Sequence, residues 1–497
     1  MTLRQQVLHG LSWNFISRIG SQFFQLAFSI ALARLLTPRE FGVVGMLLVF
    51  TGFAQALADG GLSSALIYRQ DDSDAQSSTV FWLQTGVGAI LSLLFYCGAG
   101  FIAAFYDLPI LKPLSQLLAL TFVVQALGLV HSALLMKQFR FKAMALATLG
   151  ATAVSGAFAI LLAVKGYGVW ALASQGLIST AVLTVLLWLQ SGWRPRLIFD
   201  LSVAKNLGGY GIYLLGYGSL NYWLRNGANL LIGKAIGAPA LGIFSRSYTL
   251  MLLPLNNVSA VFAQVMFPAL AQVQNDMPRF RRHYLRAKHL IALVTFPLMI
   301  GIAALSEPLV LLLLGRKWAE TIPILQILSF VGLFQSIIHP AGSVYTALGK
   351  TKTLFHVSIV LLAAFVLIMV PAVHFGLLGV TWAYTVWTLF AGLLNLWVIG
   401  RYMQSSVGTM LLGVLPTAIV ASLMGALVYA LDTGPAHAWP LAVRLLVGFV
   451  TGVASYLFLC VLTRNEAFFD FVGIISERFG LEMIPSWIRG RLTNRGV

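Results

Sequence analysis

The sequence predicts an all-α polytopic membrane protein, and three observations carry that prediction. Of its 497 residues, 59% are hydrophobic and only 9% are charged, against about 25% charged in soluble domains. Polar and Pro/Gly breaks divide the chain into about fourteen apolar runs, each close to the ~20 residues that a spanning helix needs. The 46 glycines suit helices that approach one another closely in lipid. The formal charge of +17 excludes little by itself. A nucleic-acid binder would not be this apolar, whereas basic loops gathered on one side of a bilayer account for the sign.

Taken in order, the first half reads as spans at 11–36, 42–68, 77–104, 113–135, 143–164 and 169–190. The second half reads as 207–236, 242–270, 289–314, 322–348, 353–374 and 377–400, with two more at 407–431 and 441–463. The first run continues at spanning length without a small-residue cleavage site, so it reads as a span and not as a secretory leader. The expected organisation is an N-lobe (1–190), a cytoplasmic linker (191–206), a C-lobe (207–400), a C-terminal pair of spans (401–463) and an amphipathic cytoplasmic tail (464–497). Placing the N-terminus inside puts about two thirds of the Lys and Arg residues, including the five from Arg279 to Lys288, on the cytoplasmic side, and both termini with them. Arg316, Lys317 and Arg444 then count as outer loop charges. Cys97 and Cys460 fall in opposite leaflets, which argues against a disulfide.

A weak repeat recurs at an offset of 200 residues. "ARLLTPREFGVVG" closes the first span and "GKAIGAPALGIFS" closes the seventh, aligning Arg34 with Lys234 and Gly42 with Gly242. Two parallel six-helix halves around a central site are a common transporter plan.

Several spans carry a polar stripe at helical spacing. Asn14, Arg18, Ser21, Gln25 and Ser29 line the first span; Thr51, Gln55, Asp59 and Ser63 line the second. Asn221, Arg225 and Asn229 line the seventh, and Gln335, His339 and Ser343 the tenth. Arg246 lies in the eighth. An arginine in hydrocarbon costs several kcal/mol unless it finds a partner or water. One stripe could be interhelical glue, but several stripes point to a shared hydrated cavity. Permanent cations with few acids favour an anionic cargo, because guanidinium matches phosphate in a bidentate fork. Asp59 either pairs with a cation or binds a coupling Na+ or H+; both readings stay open. Glu307 reads as structural. Asp71, Asp72 and Asp74 in "RQDDSD" read as a solvated turn. No P-loop, metal-ligand spacing or nucleophile elbow occurs, so no enzyme, cofactor or resident metal is expected.

The stretch "GLSWNFISRIGSQFFQLAFSIALARLLTPREFGVVGMLLVF", with "DGGLSSALIYR", "EPLVLLLLGRKWAETIPILQILS" and "GSVYTALGKTK", resembles bacterial polysaccharide flippases. These belong to the multidrug/oligosaccharidyl-lipid/polysaccharide exporter superfamily. The resemblance implies an inner-membrane protein that moves undecaprenyl-pyrophosphate-linked oligosaccharide repeat units across the bilayer by alternating access, for exopolysaccharide or lipopolysaccharide synthesis. It also implies a cationic cavity with Arg18 in a matching place, and a polysaccharide polymerase and chain-length regulator as neighbours. A multidrug cation antiporter of the same superfamily and a membrane-embedded polymerase are the alternatives. The first should favour acids or aromatics in its cavity. The second usually carries a large outer loop.

Overall fold

Hydrocarbon offers backbone groups no water, so an apolar chain of this length is driven into helices that satisfy their own amides. A computed structural model of the chain describes residues 3–59, 74–338 and 341–479, and the described residues form helices joined by short connections. They are α1 (Leu3–Leu35), α2 (Pro38–Asp59), α3 (Asp74–Cys97), α4 (Ala99–Tyr106), α5 (Leu111–Lys137), α6 (Phe141–Val164), α7 (Val169–Ser191), α8 (Leu201–Ala235) and α9 (Ala238–Gln272). There follow α10 (Met277–Ala304), α11 (Ser306–Leu313), α12 (Thr321–Ile338), α13 (Ala341–Ala347), α14 (Thr351–Ala372), α15 (Gly376–Met403), α16 (Val407–Leu412), α17 (Leu415–Thr433), α18 (Leu441–Leu462) and α19 (Glu466–Phe479). Among the described residues, nine helical segments are long and apolar enough to cross a membrane, and one of them, Thr351–Met403, holds two consecutive predicted spans. Leu93, Leu94, Leu161, Leu189, Leu367, Leu446 and Phe458 stand exposed. Apolar exposure on that scale belongs against lipid. The chain is an all-α polytopic membrane protein.

Local chemistry corrects some boundaries. The third predicted run is two helices broken at Gly98. The ninth run is broken at Leu305, just before Pro308, which has no N–H to continue the ladder. The expected linker 191–206 is shorter, because α8 begins at Leu201. What remains of it lies on the start of α3. Trp82 Nε1 donates to the Arg196 carbonyl at 2.8 Å, and the Arg196 and Asp200 amides donate to Ser78 Oγ and Thr79 Oγ1 at 3.1 and 3.0 Å. Arg196 also pairs with Asp74 at 3.0 Å. Asp71, Asp72 and Ser63 lie outside the described residues.

The chain divides into two compact units, Met1–Ser245 and Arg246–Val497. In the first, α1 packs on α6, α3 on α5, α5 and α6 on α7, and α2 on α8. At the start of α2 Thr37 precedes Pro38, and Glu40 reaches back to accept from the Thr37 amide and hydroxyl at 2.7 and 2.8 Å. Lys234, at the end of α8, pairs with Asp107 at 2.8 Å.

In the second unit α10 packs against α12, α17 and α19 around a core that includes Phe280, Tyr284, Phe296, Tyr345, Met410 and Met424. Two charges expected in loops are buried here. Lys288 is 0% exposed, and its Nζ donates to the Met410 carbonyl at 2.7 Å. Arg444 is 4% exposed; its Nε and Nη2 form a fork on Asp432 at 2.9 and 2.8 Å, and Nη2 also reaches Glu307 at 2.9 Å. That triad fastens the α17–α18 pair to α11. Tyr456 adds a bond from α18 to the Leu293 carbonyl at 2.8 Å. The tail helix α19 docks on the unit by Asp470 with Arg286 at 3.4 Å, and Asn465 caps it. Both cysteines are free.

Arg444→Ala should cost about 3–5 kcal/mol, because it strands the buried Asp432 carboxylate. The combined Arg444→Met, Asp432→Leu variant should recover most of that loss. Thermal unfolding of the detergent-solubilised protein measures both.

Candidate functional site

A stripe of polar residues on a membrane helix matters only if it points away from the helix's packing seam. On α1 that seam is set by small and aromatic residues. A methyl on Gly20 would meet Leu149 Cδ2 at 2.9 Å, the Phe28 ring lies against Gly156, and Trp13 stacks under Lys142 Nζ at 5.4 Å. All three contacts go to α6. At 100° per residue, Arg18, Ser21, Gln25 and Ser29 lie about 100° around the helix from this seam. Arg18 and Gln25 are exposed, Ser29 is half-buried, and Ser21 Oγ is buried with no hydrogen-bond partner among the described residues. The Asn14 side chain lies outside the described residues.

The seam of α8 faces α2. Tyr222 Oη donates to the Val49 carbonyl at 2.7 Å, and its ring meets that of Phe53 at 5.7 Å. Only a glycine at position 52 permits this, since a Cβ there would stand 2.7 Å from the phenol oxygen. Further along, Gly233 is wedged between Tyr106, Leu241 and Met46. Arg225 sits roughly 60° off this line on the helix and is exposed, with Asn221 and Asn229 half-buried beside it. On α2, Thr51 is buried and Gln55 exposed, while the Asp59 side chain lies outside the described residues.

Two guanidinium groups on separate long helices of one unit, both predicted from the sequence to span the membrane, therefore stand exposed. Neither makes an ion pair among the described residues. A charge so placed requires water or an anion, since lipid alone would exact a penalty of several kcal/mol. Chemically, the pair offers bidentate donors to phosphate or carboxylate oxygens.

Arg246, Gln335 and His339 belong to the second unit. Arg246 is half-buried and engaged by its surroundings. Gln335 is tied into a tyrosine relay: its Nε2 donates to Tyr248 Oη at 3.4 Å, and Tyr248 and Tyr384 share a hydrogen bond at 3.3 Å. Trp387 continues the cluster, with its ring 5.5 Å from Tyr384 and its Nε1 donating to the Leu361 carbonyl at 3.0 Å. His339 lies outside the described residues. Sequence reasoning missed Tyr222, Tyr248 and Tyr384 because it scored tyrosine as apolar. Among the described residues, no group of three or more His, Cys, Asp or Glu side chains is placed to hold a metal ion.

Comparison with known proteins gives a consistent picture. A family model described as polysaccharide biosynthesis protein matches residues 31–323. The teichuronic acid biosynthesis protein TuaB of Bacillus subtilis is 28% identical over 93% of this chain and 96% of its own length. The lipopolysaccharide biosynthesis protein WzxC of Escherichia coli is 29% identical over 77% and 78%, respectively. The succinoglycan biosynthesis transport protein ExoT of Rhizobium meliloti is 25% identical over 93% and 94%. Among solved structures, the lipid II flippase MurJ in an inward closed conformation superposes with a TM-score of 0.72 at 16% identity, covering 92% of this chain and 99% of that one. A MATE multidrug transporter of the MOP superfamily gives 0.60 at 17% identity. The fold is of the MurJ and MATE kind.

If the two stripes are wet, Gln25→Cys and Arg225→Cys in a protein lacking Cys97 and Cys460 should react with a water-soluble maleimide. Leu93→Cys, on an apolar exposed face, should stay unlabelled. Gel-shift labelling in membranes reads the difference.

Proposed function

The chain belongs to the polysaccharide biosynthesis protein family, and from that premise we propose that it is a flippase for undecaprenyl-pyrophosphate-linked oligosaccharide in the bacterial inner membrane. The observation that carries this reading is the pair of exposed guanidinium groups, Arg18 on α1 and Arg225 on α8, neither of which makes an ion pair among the described residues. A flippase faces one physical problem, which is moving a doubly charged diphosphate through a layer that excludes charge. Two arginines can replace much of the hydration of a diphosphate by forked hydrogen bonds, while the polyprenyl chain stays in lipid throughout. Arg246, Asn221, Asn229, Asn14 and Gln25 supply further polar contacts in this scheme, and Gln55, Gln335 and His339 extend the polar lining.

Transport follows from differential affinity. The cytoplasm-open state binds the head group, and rearrangement exposes the sugar to the other face only if the cargo interacts differently with the two states. Asp59 takes the part of counter-ion to the arginines or of a site for a coupling Na+ or H+. The N-lobe (1–190) and C-lobe (207–400) are the moving bodies, with both termini cytoplasmic. A polysaccharide polymerase and a chain-length regulator receive the delivered unit. Within this reading the chain makes and breaks no bond.

Reconstitution into vesicles with a defined undecaprenyl-pyrophosphate-linked oligosaccharide tests the proposal. Arg18→Ala and Arg225→Ala should each slow flipping by at least about tenfold, the effect of losing ~1.4 kcal/mol of charge-assisted bonding. Lysine at either place should be intermediate, because it keeps the charge and loses the fork. Wild-type rates in both alanine variants would remove the arginines from the mechanism. Chain elongation in the same vesicles would instead favour a polymerase.

A further inference from the structure

Four helices of the second unit end around one cavity. α13 stops at Ala347, α14 starts at Thr351, α15 stops at Met403 and α10 starts at Met277. The connections between these ends enclose about 250 Å³, lined by Gln274, Asn275, Met277, Leu348, Lys350 and Tyr402. α10 and the α14–α15 pair are long and apolar enough to cross a membrane. Their ends leave backbone amides without helical partners, so the cavity lies where hydrocarbon gives way to water. The distribution of Lys and Arg predicts that this side is cytoplasmic.

The way each helix ends fixes the walls. Asp276 caps α10, its Oδ1 accepting from the Arg279 amide at 3.0 Å. Gly349 adopts φ +66°, which glycine takes without strain, and the Lys350 amide then returns to the Tyr345 carbonyl at 2.8 Å. Gln404 closes α15 in the left-handed region, and the Ser405 amide donates to the Gly400 carbonyl at 2.9 Å. These turns hold Lys350 Nζ 5.7 Å from the centre of the Tyr402 ring, whose hydroxyl shares a hydrogen bond with Thr353 at 2.8 Å.

The lining carries a cation and no acid. Lys350 is exposed and makes no ion pair among the described residues, and a ring face is a weak partner for a full charge. Asp276, next to Asn275 and Met277, is committed to Arg279, whose Nε stands 3.8 Å from its Oδ2. Arg281 Nη1 donates to the Gln404 carbonyl at 3.2 Å, and Arg401 stacks 3.9 Å from the Trp397 ring, so two further cations flank the same helix ends. The Gln274 and Asn275 amides can donate to an oxyanion. Met277 and Leu348 add apolar wall, and α14 exposes Phe355 and Ile359 at a one-turn interval beyond Lys350. A free anion would use the polar groups alone, whereas a phospholipid uses both sets.

We propose that this cavity seats the phosphodiester head group of an anionic phospholipid from the adjoining leaflet, with Lys350 on the phosphate and Gln274 and Asn275 on the remaining oxygens. The seat belongs to the second unit, whereas Arg18 and Arg225 belong to the first. It does not depend on what the protein carries. An occupant bridges three connections between helices and stabilises this rim by mass action.

Isothermal titration calorimetry of the full-length protein in a nonionic detergent tests the seat, with dihexanoyl phosphatidylglycerol as the probe. Saturable binding is expected, and Lys350→Gln should weaken it by about tenfold through loss of a charge-assisted contact. Asn275→Asp keeps the shape, adds a repelling charge and should weaken it similarly. Both positions are exposed, so neither variant threatens the fold. Arg316→Gln, an exposed charge outside the lining, should leave binding unchanged. Dihexanoyl phosphatidylcholine and inorganic phosphate form the other arms. Equal affinity for phosphatidylcholine, or parental affinity in both Lys350→Gln and Asn275→Asp, would overturn the proposal. Inorganic phosphate that displaces phosphatidylglycerol at equal concentration would overturn it too, because the cavity would then be a free-anion site. In thermal unfolding, phosphatidylglycerol should raise the Tm of the parent more than that of Lys350→Gln, and equal shifts refute the seat. Neither measurement involves cargo, so the flipping assay stands or falls separately.

Discussion

A charge placed at membrane depth needs a partner, and this requirement sorts nearly every cation that the structure describes between the helices. Arg444 meets it with a carboxylate fork from Asp432 and a third bond to Glu307. Lys288 meets it with the Met410 carbonyl of α16, and Lys234 with Asp107 at a helix end. Each of these cations ties one helix to another. Arg18 and Arg225 stand apart, because each is exposed, Arg18 about 100° and Arg225 roughly 60° around its helix from the packing seam. The cations that tie helices together and the exposed pair thus differ in partner and direction, and not in residue type.

Glycine performs the complementary task. Helices in lipid gain little from burying apolar surface, since the lipid is as apolar as the side chains, so association relies on close contact. Gly20 and Gly156 bring α1 onto α6, Gly52 admits the Tyr222 hydroxyl to α2, and Gly332 accommodates the methionine sulfurs of Met299 and Met251. At Gly42 and Gly242 the same device acts between repeated segments, where a Cβ would run into the Ala238 and Pro38 carbonyls, respectively. The weak sequence similarity of those segments reflects a shared steric demand. Little beyond glycine fits under a carbonyl so close, while the neighbouring loop residues are free to differ. That is why Gly42 and Gly242 match where Arg39 and Pro239 do not.

Under the proposed function these features share a purpose. A protein that carries a charged head group past hydrocarbon needs rigid, well-tied helices and cations free to meet the cargo. The triad at Arg444 and the tyrosine relay through Tyr248 provide the first, and the stripes of α1 and α8 are the proposed source of the second.

The helices themselves were legible in the sequence because hydropathy is local. Among the described residues the predicted runs fall on helices, and the errors lie at Gly98, at Leu305, at Gly413–Val414 and at the early start of α8. The stripe containing Arg18 was legible for the same reason: helical periodicity decides which residues share a face within a few turns. Partnership was not legible. Arg444 was read as a loop charge because its second acid, Glu307, lies 137 residues away, and Lys288 was read likewise because Met410 is 122 residues away. The tyrosine that holds Gln335 is 87 residues distant, and no local pattern marks it. A residue's place on its own helix follows from short-range geometry, whereas the neighbour it meets depends on how the chain returns, and only the tertiary structure decides that.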